Sequence, residues 1–290
     1  MRKTTGARYI AETMKGYGVT HVFYMEIILP TSLIEMERLG IRRIVTHGEK
    51  AAAYMADGYA RLSRRPGVCM AQSVGAANLA AGLQDAFLAH SPVIAVAGSK
   101  PLLYQHRNAY QEIQHKPLYD GLTKYNVKVD TIQQLPHVLP QAFREATTGV
   151  PGPVHIDVPG LFGEFLEDAE ADLDVVVEPA YGTYPVWRPV PDQQDLERAA
   201  QALLQAERPV MVVGRGAVIS GAAQEVVRLA ERLSIPVAVS PDGKGLMVDG
   251  HPLFIGLVGG YGRPGANHIL SEADLVFYAG CGTGDQVTNN

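Results

Sequence analysis

VCMAQSVGAANLAAGLQDAFLAHSPVIAVAG, residues 68–98, decides the fold class. VCMAQS (68–73) is a short, largely apolar run of strand length. GAANLAAGLQDAFLA (75–89) is rich in Ala and Leu and long enough for four helical turns. PVIAVAG (92–98) is apolar without alternation, which a strand covered on both sheet faces requires. Strand, helix and strand in so few residues point to a parallel sheet layered with helices. The same alternation extends upstream. Thr5 caps a helix that carries Ile10, Met14 and Tyr17 on one face. VTHVFYM (19–25) and RRIVTH (42–47) are strands, and Glu49 to Ser63 is an Ala-rich helix interrupted only by Gly58. Downstream, a helix over 134–147 precedes the strand PVHIDVP (153–159).

Beyond this block the character changes. Between Glu164 and Glu178 stand seven acids and no base, followed by Pro179, Pro185, Pro189 and Pro191. The stretch 164–190 reads as a linker. Alternation then resumes. A helix over 192–207 is capped by Asp192, the strand PVMVVGRGA (209–217) enters a glycine turn, a helix spans 220–233, and PVAVS (236–240) and DLVFYAG (274–280) are strands. The expected class is α/β, with two doubly wound parallel-sheet domains over 1–163 and 191–290, the second reading as incomplete.

Composition removes several functions. Residues 1–163 hold 17 Lys/Arg against 12 Asp/Glu, and the remainder is acidic, giving −5 overall. No basic stripe interleaved with aromatics is present, so nucleic acid is excluded as a partner. No uncharged apolar run approaches the ~20 residues a membrane-spanning helix needs. The first residues lack the apolar core of a signal peptide, and Cys69 and Cys281 form no disulfide framework. A reduced, cytoplasmic compartment is expected. The nine histidines include no H-x-x-x-H pair, so no metal set is read.

Residues that bear chemistry cluster after strands. Glu49 opens a helix directly after the strand 42–47, at the edge where ligands bind in open α/β sheets. A first-turn Glu equally complements the helix dipole. Gly75, Asn78 and Gly82 lie along the helix after strand 68–73, where a glycine turn can admit an anion or pack helix against sheet. Gly214 and Gly216, with Gly221, have the spacing G-x-G-x-x-x-x-G rather than the dinucleotide fingerprint. NAYQE (108–112) lies in a long loop after strand 92–98.

Together GEKAAAYMADGYAR (48–61), VGAANLAAGLQDAF (74–87), PVIAVAG, NAYQEIQHKPLYDGLTKYNVKV (108–129) and GVPGPVHIDVP (149–159) resemble the pyrimidine-binding domain of thiamine-diphosphate enzymes of the acetolactate synthase type. RPVMVVGRGAVISGAAQEVVRLAERLSIPV (208–237), GKGLMVDGHPLFIGLVGGYG (243–262) and EADLVFYAGCGTGD (272–285) resemble the same family's central domain.

The resemblance implies a lyase or carboligase acting on a 2-oxo acid. It makes Glu49 the carboxyl group beside the cofactor's pyrimidine nitrogen and Gln111 a second catalytic residue, with Tyr110 close by. Gly75 and Asn78 fall on the cofactor side. Gly214 and Gly216 match a central-domain turn that faces FAD or a coenzyme A nucleotide in some relatives. The implied sibling chemistry is cleavage of an oxalyl- or 2-hydroxyacyl-CoA. A non-catalytic subunit is the reading from another class.

Three departures accompany the match. Gly48 stands where the family has His, with His47 one place earlier. MEIILP (25–30) replaces a Pro-Gly turn. The magnesium-diphosphate motif of a third domain has no counterpart, and Asp285 lacks its flanking spacing. Thiamine diphosphate with Mg2+ is therefore expected in a site completed by another domain or chain, in a homodimer or tetramer.

Overall fold

A computed structural model describes residues 2–288, which divide into two compact units between Trp187 and Arg188. The strands of the first unit are β1 (Arg2–Thr5), β2 (His21–Tyr24), β3 (Arg42–Val45), β4 (Gly67–Ala71), β5 (Val93–Ser99), β6 (Tyr125–Lys128), β7 (Val154–Pro159) and β8 (Glu170–Leu173). Six of them form one sheet in the order β3-β2-β4-β5-β7-β6, with every neighbouring pair parallel. The expected doubly wound parallel sheet is present.

Helices α1 (Gly6–Gly16), α2 (Pro30–Arg38), α3 (Glu49–Ser63) and α4 (Gly75–Leu88) follow the strand exits. Thr5 caps α1, its hydroxyl accepting from the Arg8 amide. Alternate strand residues sort to opposite faces. Val68, Met70, Ile94 and Val96 join a large-residue core with α1, α2 and the helix Leu135–Thr147. Cys69, Ala71, Ala95 and Ala97 join a core of small side chains with α3 and α4. Small residues let those two helices approach closely. A Cβ at Gly82 would stand 2.7 Å from the Cβ of Ala53.

The stretch 164–190 is not the linker its acids suggest. Residues Glu164–Glu167 form a helical turn, and β8 pairs antiparallel with β1, matching Thr4 to Ala171. Tyr184 is buried and donates to the Ala60 carbonyl at 2.8 Å. The physical reason is a period of two hidden within the charge run. Ala171 and Leu173 pack against the core while Glu170 and Asp172 face water.

In the second unit β9 (Pro209–Val213), β10 (Val237–Val239), β11 (Phe254–Leu257) and β12 (Leu275–Ala279) form a parallel sheet ordered β11-β10-β9-β12. The chain leaves β9 at Val213 and turns helical over Arg215–Ser220, so the strand expected to reach residue 217 ends earlier. Asp192 caps the helix Gln193–Gln205, accepting from the Gln194 amide at 2.9 Å. Val213, Val237 and Val239 face one core, while Val212, Ala238 and Val258 face the other. No helix among the described residues is long and apolar enough to cross a membrane.

Candidate cofactor site at the carboxyl edge of the first sheet

Strand order reverses between β2 and β4, because β2 leads to β3 on one side and the chain then returns to β4 on the other. The crevice at such a reversal is where open α/β sheets bind ligands. The turn leaving β3 is fixed to β2 by Thr46, whose hydroxyl lies 3.2 Å from the Tyr24 carbonyl and 2.8 Å from that of Gly48. Glu49 follows as the first residue of α3.

The Glu49 carboxylate reaches the first turn of α4. Asn78 Nδ2 donates to its Oε2 at 3.2 Å. A Cβ at Gly75 would lie 2.5 Å from Oε1 and 2.8 Å from Cγ of Glu49. The missing side chain of Gly75 is thus the space the carboxylate occupies. Three residues proposed from sequence are brought together by one contact between helix ends.

Gln111 joins through its backbone. The Ser73 hydroxyl donates to the Gln111 carbonyl at 2.7 Å, two residues before Gly75. Gln111 has φ of 56°, and its Nε2 donates to the Tyr110 hydroxyl at 3.1 Å. Its Oε1 is buried without a hydrogen-bond partner. Tyr110 is 74% exposed, so it is available to a ligand rather than engaged in a core. The loop is braced by Glu112, which accepts from the backbone amides of His106 at 2.6 Å and Ala109 at 3.2 Å. Those amides, His106 foremost, hold its carboxyl below the usual range.

Ser73 is the junction of this region. Its amide donates to Leu161, its hydroxyl to Gln111, and its carbonyl accepts from His115 Nε2 at 2.9 Å. His115 Nδ1 stands 2.7 Å from Asp157 Oδ1. His155 lies beneath the Tyr119 ring at a centroid distance of 3.6 Å, and burial pushes it down to about 4, which keeps it neutral. The convergence of His115, His155 and Asp157 was not anticipated. The readable signal was H-x-D within PVHIDVP, which puts His155 and Asp157 on one face of a strand.

The segment 25–30 exposes Glu26 and Ile27 and turns inward after them. Ile28 and Leu29 are buried, and the Leu29 side chain occupies the space a Cβ at Gly163 would need, at 2.4 Å. Gly214 and Gly216 also sit at a reversal of strand order, between β9 and β12. There the neighbours are backbone. A Cβ at Gly214 would meet Cys281 Cα and the Gly280 carbonyl oxygen at 2.6 Å each, and the Gly216 amide donates to that same oxygen at 2.8 Å.

Residues 4–118 match the N-terminal TPP binding domain of thiamine pyrophosphate enzymes, and residues 196–290 match their central domain. The chain belongs to the thiamine pyrophosphate enzyme family. It is 40% identical over 250 residues to a probable acetolactate synthase large subunit of Methanocaldococcus jannaschii, covering 85% of this chain and 42% of that protein. It is 32% identical over 283 residues to the isozyme 1 large subunit of acetolactate synthase from Escherichia coli, covering 96% and 49%. Acetolactate synthase of Arthrospira platensis is 33% identical across the whole chain, which spans 52% of it. The chain thus spans about half the length of the curated relatives it matches. The N-terminal match takes in Glu49, Gly75, Asn78, Tyr110 and Gln111, so every candidate of the first unit lies inside the TPP binding domain.

Proposed function

We propose that this chain supplies the pyrimidine side of a thiamine diphosphate site in an acetolactate synthase-type enzyme acting on a 2-oxo acid. The supporting observation is the Glu49 carboxylate held at the carboxyl edge by Asn78, in space that Gly75 leaves free. These residues fit the group, because a carboxyl group that is half-buried yet not consumed by a salt bridge can share a proton with a ring nitrogen. When bound, thiamine diphosphate supplies the electron sink for breaking the bond next to a 2-oxo group. With the cofactor bound, Glu49 would hold the proton shared with the pyrimidine nitrogen, Asn78 would orient the carboxylate, and the Tyr110–Gln111 turn, anchored at Ser73, would present polar groups to substrate. Mg2+ and the diphosphate would be held by a further domain or by a second chain in a dimer or tetramer. FAD or a coenzyme A nucleotide is the further ligand proposed for the Gly214 turn, where the backbone of Gly280 and Cys281 fills the space a Cβ would take.

The test is calorimetric titration with thiamine diphosphate and Mg2+, of this chain alone and paired with a chain that carries a diphosphate-binding domain. Binding is expected in the pairing. In that assembly Glu49→Gln lowers turnover of a 2-oxo acid by ~10²–10⁴, the range of a lost general acid–base group, with the melting temperature unchanged. Absence of binding in every pairing would overturn the reading, and so would full turnover by the variant.

A further inference from the structure

His115, His155 and Asp157 are buried outside the Glu49 site, and one ligand atom from each lies within 4.8 Å of the others. Their hydrogen bonds determine where the ring protons are. His115 Nε2 faces the Ser73 carbonyl at 2.9 Å, which can only accept, so Nε2 carries hydrogen. Its Nδ1 then faces Asp157 Oδ1 at 2.7 Å. His155 Nδ1 stands 2.8 Å from Asn126 Oδ1. The Asn126 amide is oriented by its Nδ2, which donates to Lys116 O and Asp120 Oδ1 at 2.9 Å each, so its oxygen accepts from His155. His155 Nε2 is therefore a bare electron pair. It is fully buried, has no hydrogen-bond partner, and stands 3.7 Å from Asp157 Oδ1.

Two imidazole nitrogens and a carboxylate oxygen thus converge in one buried cluster. A proton between His115 and Asp157 satisfies two of the three and leaves His155 facing a carboxylate. A metal ion satisfies all three. Outer N–H groups tied to a carbonyl and an amide oxygen are the supports that metal-bound histidines use. Two ligands on a tetrahedral zinc, at bond lengths near 2.1 Å, stand ~3.4 Å apart. The observed 2.7 and 3.7 Å bracket that spacing.

We propose that His115, His155 and Asp157 form a three-ligand site for a divalent transition metal of the zinc class. An imidazole–imidazole–carboxylate set suits that ion. A cavity of about 210 Å³ is lined by His115 and Asp157 and not by His155. Lys100, Lys116, Lys128 and Glu112 line the same cavity, with the Lys116 ammonium paired to Asp120 at 2.8 Å. The metal clamps the end of β7 to His115 and through it to the Ser73 carbonyl, so its role is to hold the turn that leads to Gly75. This site does not depend on the thiamine reading.

The test uses the full chain, stripped with a chelator and titrated with Co2+ and then Zn2+ in the absence of thiamine diphosphate. One equivalent of Co2+ should bind with visible d–d absorption, and Zn2+ should displace it. The ring 15N signals of His115 Nδ1 and His155 Nε2 should move on Zn2+ binding. His155→Phe keeps a ring stacked on Tyr119 and should weaken binding by more than the ~10–100-fold that losing an outer-shell partner costs. Asn126→Ala should fall within that range. No stoichiometric binding by the wild type would overturn the site. Equal binding by folded His155→Phe would do the same by assigning the metal to surface histidines. Should that variant not fold, the wild-type 15N signals decide, and their constancy on Zn2+ addition would leave a proton as the sole occupant.

Discussion

Each unit carries a glycine turn at the reversal point of its sheet, and the two turns use their missing side chains differently. At Gly75 the vacated volume holds the tip of a flexible, polar side chain, Glu49. At Gly214 it holds the backbone of Gly280 and Cys281. Both positions are equivalent in sequence terms, a glycine just after an apolar strand. The distinction is what a Cβ would displace. A carboxylate can swing aside, whereas backbone cannot move without its sheet. A Cβ at Gly75 would thus displace a side chain, and one at Gly214 would press on backbone.

The sharpest way to break this comparison is Gly75→Ala. The new Cβ forces the Glu49 carboxylate aside, so turnover in the completed assembly should fall as far as in Glu49→Gln, by ~10²–10⁴. Stability should stay within ~0.5 kcal/mol, since alanine also suits the start of a helix better than glycine does. A large drop in melting temperature with turnover retained would reverse the assignment. Gly214→Ala should do the opposite. Its Cβ lies 2.6 Å from two backbone atoms, so the second unit should lose ~1–3 kcal/mol, the cost of overpacking, as measured by denaturant unfolding. An unaltered midpoint would show that the Gly280–Cys281 turn yields freely.

A smaller effect is expected at Asn78. Its amide makes one exposed hydrogen bond of 3.2 Å to Glu49, and such a bond contributes ~0.5–1.5 kcal/mol. Asn78→Ala should therefore weaken thiamine diphosphate binding by about tenfold or less. A loss as large as that of Glu49→Gln would make Asn78 a direct ligand of the cofactor.

Much of the architecture was legible because it is local. Helix α3 spans Glu49–Ser63 as its composition predicts, and Asp192 caps its helix as its residue type predicts. Among the edge strands β3 and β12 were legible, but others were not. β8 hides its inward Ala171 and Leu173 among acids, and β6 is polar at Asn126 and Lys128. The site was legible in part. From position alone Glu49 is a first-turn acid, and only the family resemblance gave it a partner. Its contacts with Gly75 and Asn78 depend on α3 packing against α4, which no local pattern encodes. Of the His115, His155 and Asp157 convergence only the H-x-D pair of β7 was legible. The rest requires β6 to lie outside β7, so that Asn126 pairs in register with His155.

The two cysteines give the finest probe of the difference between the units. Cys69 lies within β4, fully buried in the small-residue core, and burial pushes its thiol far above the usual range. Cys281 is partly exposed and borders Gly214. Thiolate is the reacting form and needs access to reagent, so a disulfide reagent at pH 8 should label one thiol of the native chain, Cys281. Cys69 should react only as the first unit opens, its rate following denaturant-induced unfolding. Gly214→Ala should speed labelling of Cys281 and leave Cys69 untouched, because the clash falls on Cys281 Cα alone of the two. Gly75→Ala should change neither rate. Mass spectrometry of the labelled chain resolves all four outcomes. Early labelling of Cys69 in Gly75→Ala would show that the turn holding Glu49 also holds the sheet, and the contrast between the two glycines would then fail.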